Sequence, residues 1–107
     1  MIEPSQALPL ETLVTWTAGG IASRILAKTG GGNLTLFAID AGQGLTEHTS
    51  PFEAFVLVLD GALTLTIGGA PVEATPGTVV RLPATVPHAV HATRPARMLL
   101  VMLRDQS

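Results

Sequence analysis

Cysteine is absent from the 107 residues, which excludes disulfide frameworks, thiolate zinc sites, iron–sulfur clusters and cysteine nucleophiles together. Any metal must then be held by histidine, carboxylate or amide groups. Tyrosine is also absent, and one tryptophan and three phenylalanines offer few platforms for stacking bases. Charge is sparse: six Lys and Arg against eight Asp and Glu give a net charge of −2, and the cations are spread along the chain. No basic stripe forms to neutralise phosphates, so nucleic acid is not an expected partner. Long hydrophobic runs are missing too. The longest, Ala54 to Leu59 and Met98 to Leu103, fall far short of the ~20 residues that a membrane-spanning helix needs, and no membrane association is expected. The first ten residues carry Glu3, Pro4 and Pro9 in place of a basic region followed by an apolar stretch. That pattern does not read as a secretory signal, and a cytoplasmic protein is expected.

What is present is apolar and finely divided. With 47% hydrophobic and 13% charged residues, the chain has enough apolar surface to order one domain of ordinary size, and it is too short for two typical cores. Turn-forming residues recur at short intervals: Gly19–Gly20, Gly30–Gly32, Gly42–Gly44, Asp60–Gly61, Gly68–Pro71, Pro76–Gly77, Pro83 and Pro87. Such spacing predicts strands joined by hairpins. The strand-like stretches are Thr12–Thr17, Ile21–Lys28, Leu34–Asp40, Phe52–Leu59, Ala62–Ile67, Val72–Ala74, Thr78–Leu82, His88–Ala92 and Arg97–Leu103. Leu63, Leu65 and Ile67 alternate with Thr64 and Thr66, the pattern of a half-buried antiparallel strand. Met98–Leu103 is apolar on both faces, which predicts a central or interfacial strand. A short helical turn within Ser5–Val14 would be interrupted by Pro9. The pattern as a whole is all-β, and a sandwich, a jelly roll and a small barrel all satisfy it.

Two segments choose among these. The first runs from Gly42 through His48, Ser50, Glu53 and Ala54 to Gly61, and the second from Gly77 through Pro83 and Pro87 to His88. In order and spacing they resemble the two motifs of the cupin family. Gly42, His48 and Gly61 fall on the first motif, which is Gly, five residues, His, one residue, His, three or four residues, Glu, six residues, Gly. Gly77, Pro83 and His88 fall on the second. With flanking strands the resemblance covers about Gly20 to Leu103. It implies a double-stranded β-helix, a jelly-roll cupin barrel of the RmlC-like kind. On this reading residues 1–19 form an N-terminal extension with an edge strand, Leu10–Thr17, and residues 20–107 form the cupin domain.

The same resemblance implies a metal site, and the sequence departs from it. Ser50 stands where the pattern has a second His, Ala54 where it has Glu, Thr85 where it has Gly, and Ala92 where it has Asn. His48 and His88 are the two ligands matched position by position. His91 is a third nearby imidazole, although three residues along a regular strand points it away from His88. Glu53, Gln43 and Glu47 are further oxygen donors, but Glu53 lies one residue from the motif position, on the opposite strand face unless a bulge near Pro51 changes the register. Two imidazoles do not select among Zn, Ni, Fe and Mn, and with half the ligand set replaced the cofactor is either such a divalent ion or none. Ser50, Ala54, Phe37, Met98 and Met102 are expected to line the pocket. Plainer readings stand beside these: a loop histidine bonded to backbone for His48, solvated charges for the glutamates, and core filler for the two methionines.

The expectation is a single-domain cupin that binds a small ligand in its barrel, with or without a divalent metal, and with no specific activity assigned. The alternative is a metal-free, non-catalytic β-barrel that binds a ligand or dimerises. A metal-independent isomerase is a third class, for which the chain lacks a tyrosine acid. The residues around Ser5, Ser23, Ser50 and Ser107 show no nucleophile elbow, so a serine hydrolase is not supported. A homodimer is expected because both faces of Arg97–Leu103 need cover.

Overall fold

The computed structural model describes residues 1–104. After a single 3-10 turn at Leu10–Thr12, the chain makes seven strands: β1 Ile21–Thr29, β2 Gly32–Ile39, β3 Gly44–His48, β4 Glu53–Ile67, β5 Ala70–Ala74, β6 Val79–Leu82 and β7 His88–Leu103. All pairings are antiparallel, in the order β1-β2-β7-β4-β5, with β3 added on β7 and β6 on β4. The β4–β5 connection is Gly68–Gly69, both at positive φ, as a two-residue hairpin turn of the right twist demands.

The two long strands organise everything else. The first half of β4 pairs with the second half of β7, together with β2 and β6. The second half of β4 pairs with the first half of β7, together with β3 and β5. Each long strand thus passes from one layer of the roll to the other, and the register slips between Val58 and Leu63 where it does so. Asp60–Gly61, read from sequence as a hairpin turn, is therefore a bulge inside one continuous strand. His88–Ala92 and Arg97–Leu103 are likewise one strand. Gly61 makes this crossing feasible: it sits at φ +80°, and a Cβ there would lie 2.1 Å from the Pro95 carbonyl oxygen.

Alternation along the strands builds the interior. Ala54, Val56, Val58, Leu63 and Leu65 of β4 and Val90, Ala92, Ala96 and Met98 of β7 are buried in one cluster. Each large side chain so buried contributes roughly 1.5–3 kcal/mol. The expected pocket lining is largely this core. Ala54 and Met98 are buried in it, Phe37 and Met102 pack against it, and Ser50 lies in the loop before β4. Of the five, Met102 borders a recess, with a volume of about 30 Å³, shared with Asn33 and Phe52.

A second cluster covers the outer face of the first layer. Val14, Leu26, Leu36 and Ala38 are buried there, with Ile2, Leu13, Leu59 and Leu99 against them. Leu99 thus faces outward while Met98 faces in, which explains in part why β7 is apolar on both sides. The cover comes from the N-terminal segment, in which the expected edge strand Leu10–Thr17 forms no strand and opens with the 3-10 turn. The segment is strapped down by the Ile2 N–H donating to the Leu26 carbonyl at 2.8 Å, the Gly19 N–H donating to the Asp40 carboxylate at 2.6 Å, and Arg97 stacked 4.6 Å from the Trp16 ring. The two backbone N–H donors on Asp40, from Gly19 and Ala41, hold its carboxyl below the ordinary 3.8. Among the described residues no helix is long and apolar enough to cross a membrane.

Gly61→Ala and Gly77→Ala separate backbone preference from close approach, since both glycines have φ above +75° but no atom lies within 4 Å of a Cβ at 77. Gly77→Ala should cost about 1 kcal/mol and Gly61→Ala at least about 2 kcal/mol in urea unfolding. Equal losses would show that the contact with Pro95 does not restrict position 61.

Candidate functional site

His48 is the last residue of β3 and His88 the first of β7, and the two are directly opposed in the ladder. The β3 register slips between Leu45 and His48, which brings the His48 side chain onto His88. In the first half of β7, His88, Val90 and Ala92 are the buried positions, so His88 shares the inward face at the end of the barrel. His88 is 6% exposed, whereas His48 is open to solvent. The loop before His88 is held by cross-links: the Thr85 N–H donates to the Ser50 carbonyl at 2.8 Å, and the Gly68 N–H to the Pro87 carbonyl at 2.8 Å. Thr85, where the family motif has glycine, stands at φ +67°, a conformation that a glycine adopts freely.

The rings meet edge to face, with centroids 4.4 Å apart and planes at 70°. His48 Nδ1 lies 2.8 Å from the Thr46 carbonyl oxygen and His88 Nδ1 lies 3.2 Å from the Val86 carbonyl oxygen. A carbonyl only accepts, so each Nδ1 carries the proton and each Nε2 presents its lone pair. Those two Nε2 atoms stand 3.2 Å apart. Two lone pairs at that distance require a cation or a shared proton between them. Two nitrogens about 2.05 Å from one tetrahedral metal ion stand about 3.3 Å apart, so the spacing fits a single ion. With an ion in place, the backbone carbonyls would be the orienting partners that metal-bound imidazoles need.

The other expected donors do not join. His91 lies opposite Gly44 and Thr64 on the outer face of β7 and is exposed. Glu53 faces away from Ala54, because the bulge that would have turned it inward falls at 58–63 and not near Pro51. Its carboxylate accepts from Arg81 Nη2 at 2.6 Å, Arg81 Nε at 3.2 Å and the Ala84 N–H at 3.3 Å. The main-chain carbonyl of Gln43 accepts the Ala92 N–H at 2.9 Å, which ties the entry of β3 to β7, and Glu47 is exposed on β3. Ser50 Oγ accepts the Phe52 N–H at 3.1 Å and so caps its own loop. Among the described residues no group of three or more His, Asp or Glu side chains is placed to hold a metal.

Sequence reasoning missed the Glu53–Arg81 pair. Its signal is parity: Glu53 and Phe55 share a face of β4, and Phe55 lies opposite Arg81 in the ladder. The Glu53 carboxylate fastens β4 to β6 through Arg81, and to the loop that delivers His88 through the Ala84 N–H. Hydrogen bonding to the Arg81 guanidinium holds the Glu53 carboxyl below its ordinary 4.5, against an opposing effect of desolvation.

The pattern of the cupin domain matches residues 35–102. The chain belongs to the cupin family. It is similar over 99% of its length to a conserved protein of unknown function from Streptococcus pyogenes, at 31% identity and a TM-score of 0.92, covering 93% of that chain. A cupin 2 conserved barrel domain protein from Leptotrichia buccalis is 32% identical over 88% of this chain and 46% of that one, with a TM-score of 0.84. The salicylate 1,2-dioxygenase of Pseudoaminobacter salicylatoxidans shares the fold, with 14% identity and a TM-score of 0.73 over 78% of this chain and 25% of that chain. No curated protein matches the sequence.

A carboxyl with a lowered folded-state value contributes stability that is present above 4.5 and lost as pH falls through that lowered value. Glu53→Gln should therefore melt below the parent at neutral pH, and the two curves should converge in strong acid. A gap that persists unchanged in strong acid would show that the ionised carboxylate is not what fastens the loop.

Proposed function

We propose that the chain is a small-ligand-binding cupin in which His48 and His88 together hold one divalent first-row metal ion, with the remaining positions left to water and ligand. The observation that carries this reading is the pair of Nε2 atoms 3.2 Å apart, each on a ring whose Nδ1 is committed to a backbone carbonyl. His88 supplies the buried, oriented nitrogen, and exposed His48 closes the site from the solvent side. Such an ion, when bound, supplies Lewis acidity towards an oxygen ligand. The protein's own part is to orient both imidazoles through their backbone carbonyls. Two imidazoles make a weak site, whose occupancy depends on the metal at hand.

A metal-free reading has one observation in its favour: Ser50 and Ala54 replace two motif ligands, and Ala54 is packed in the core at 3% exposure. In that reading the rings share a proton, and the resulting positive charge takes an anionic ligand.

Equilibrium dialysis of the parent and of the double variant His48→Ala, His88→Ala against Zn(II), Ni(II), Fe(II) and Mn(II) distinguishes the two. The parent should take up one ion per chain of at least one of these metals, and the double variant none at the same free concentration. Equal uptake by both proteins, or none by the parent, would defeat the metal reading.

A further inference from the structure

Where β2 ends, the N-terminal segment leaves an open recess of about 410 Å³ between itself and the sheet, a volume within the range of small-molecule sites. Trp16, Thr17 and Ala18 form one side of it, and Asp40 and Pro95 the other. The second side follows from register: the β2–β7 ladder closes with Ile39 opposite Ala96, which sets the next residues, Asp40 and Pro95, beside each other. The recess shares no residue with the histidine pair or with the barrel core.

Its two chemical features are in place before any ligand arrives. The Arg97 guanidinium lies 4.6 Å from the centroid of the Trp16 ring, yet Arg97 does not line the recess, so indole surface remains for a second contact. The Asp40 main chain is pinned on both sides, its N–H donating to the Gly20 carbonyl at 3.0 Å and its carbonyl accepting the Gln43 N–H at 3.1 Å. Each carboxylate oxygen accepts one backbone N–H, Oδ2 from Gly19 at 2.6 Å and Oδ1 from Ala41 at 2.8 Å. Of roughly four acceptor positions on a carboxylate, about two are left open. A ligand therefore spends little free energy on ordering either group.

The charge balance decides the sign of that ligand. Arg97 is paired with Asp60 at 2.8 Å. Among the described residues no Lys or Arg lines the recess, and Arg94, the neighbour of Pro95, is exposed without lining it. Asp40 thus presents a negative charge, met by N–H dipoles alone, beside an indole and a proline ring. An anion is repelled there, and a purely apolar ligand would screen the carboxylate from water without replacing the hydrogen bonds lost. A cation that carries both N–H donors and a short hydrocarbon meets every demand: its donors reach the open carboxylate positions and its charge and methylenes lie on the indole.

We propose that this recess binds a small organic ammonium ion, its N–H groups on the Asp40 carboxylate and its alkyl part between Trp16 and Pro95.

Trp16 is the only tryptophan in the chain, so intrinsic fluorescence reports on the recess directly. The test titrates the full chain, without added metal, with n-butylammonium chloride at constant ionic strength, with sodium chloride as the blank and n-butanol as a neutral compound of matched size. Butylammonium should change the Trp16 emission saturably with a Kd in the millimolar range, as suits one cation–π contact and one half-exposed ion pair. Butanol should bind at least about fivefold more weakly, and Asp40→Asn should weaken butylammonium by a similar factor. Ala18→Leu fills the recess from the other side with no change of charge and should weaken both compounds. Glu73→Gln, which removes a carboxylate from β5 outside the recess, should bind as the parent does. The emission maximum of each variant without probe shows whether the segment carrying Trp16 is still docked, and if Asp40→Asn releases it, Ala18→Leu decides the matter. A parent with no saturable change up to tens of millimolar, equal binding of alcohol and ammonium, or an Ala18→Leu variant or a docked Asp40→Asn variant that binds like the parent would overturn the proposal.

Discussion

Two strands of fifteen and sixteen residues have to leave one sheet and enter the other at the same place, and the structure is built around that crossing. At Gly61 the β4 backbone approaches Pro95 and Ala96 of β7 so closely that a single methyl group would collide with main-chain atoms. Across this corner the pairing of β4 with β7 resumes on both sides. Every other strand is placed by one half or the other of these two. The crossing therefore decides which residues share the interior.

The histidine pair follows from that placement. The first half of β7 carries His88 into the second layer, where β3 lies beside it and ends on His48. Orientation is then set locally, by carbonyls two residues before each ring. The result is a buried imidazole anchored at one nitrogen, with its other nitrogen 3.2 Å from that of a solvent-accessible one. The substitutions at 50 and 54 narrow what surrounds it: one became a loop cap, the other a core residue.

The outer face of the first layer is divided. A sheet this apolar on both sides needs cover, and the N-terminal segment supplies it over β2 and part of β7 through its own hydrophobic side chains and the Asp40 tether. The arm wraps its own chain and adds no strand. The half it leaves bare is bounded by two ion pairs, Glu53 with Arg81 and Asp60 with Arg97.

By itself the sequence determined the fold class and singled out the two imidazoles that the fold brings together. Turn spacing and alternation required many short strands, and the intervals from Gly42 to His48 to Gly61 and from Gly77 to Pro83 to His88 located the imidazoles that meet. Strand parity had already turned His91 and Glu53 outward unless a bulge intervened. What only the tertiary structure decided was where the bulge falls. It falls at 58–63, so a turn signal at Asp60–Gly61 became a continuous strand, Glu53 stayed outside on Arg81, and Ala54 stayed in the core. The reason is physical: a glycine at positive φ suits a hairpin and a bulge equally well. The choice between them was made by Pro95 and Ala96, more than thirty residues away, pressing against Gly61.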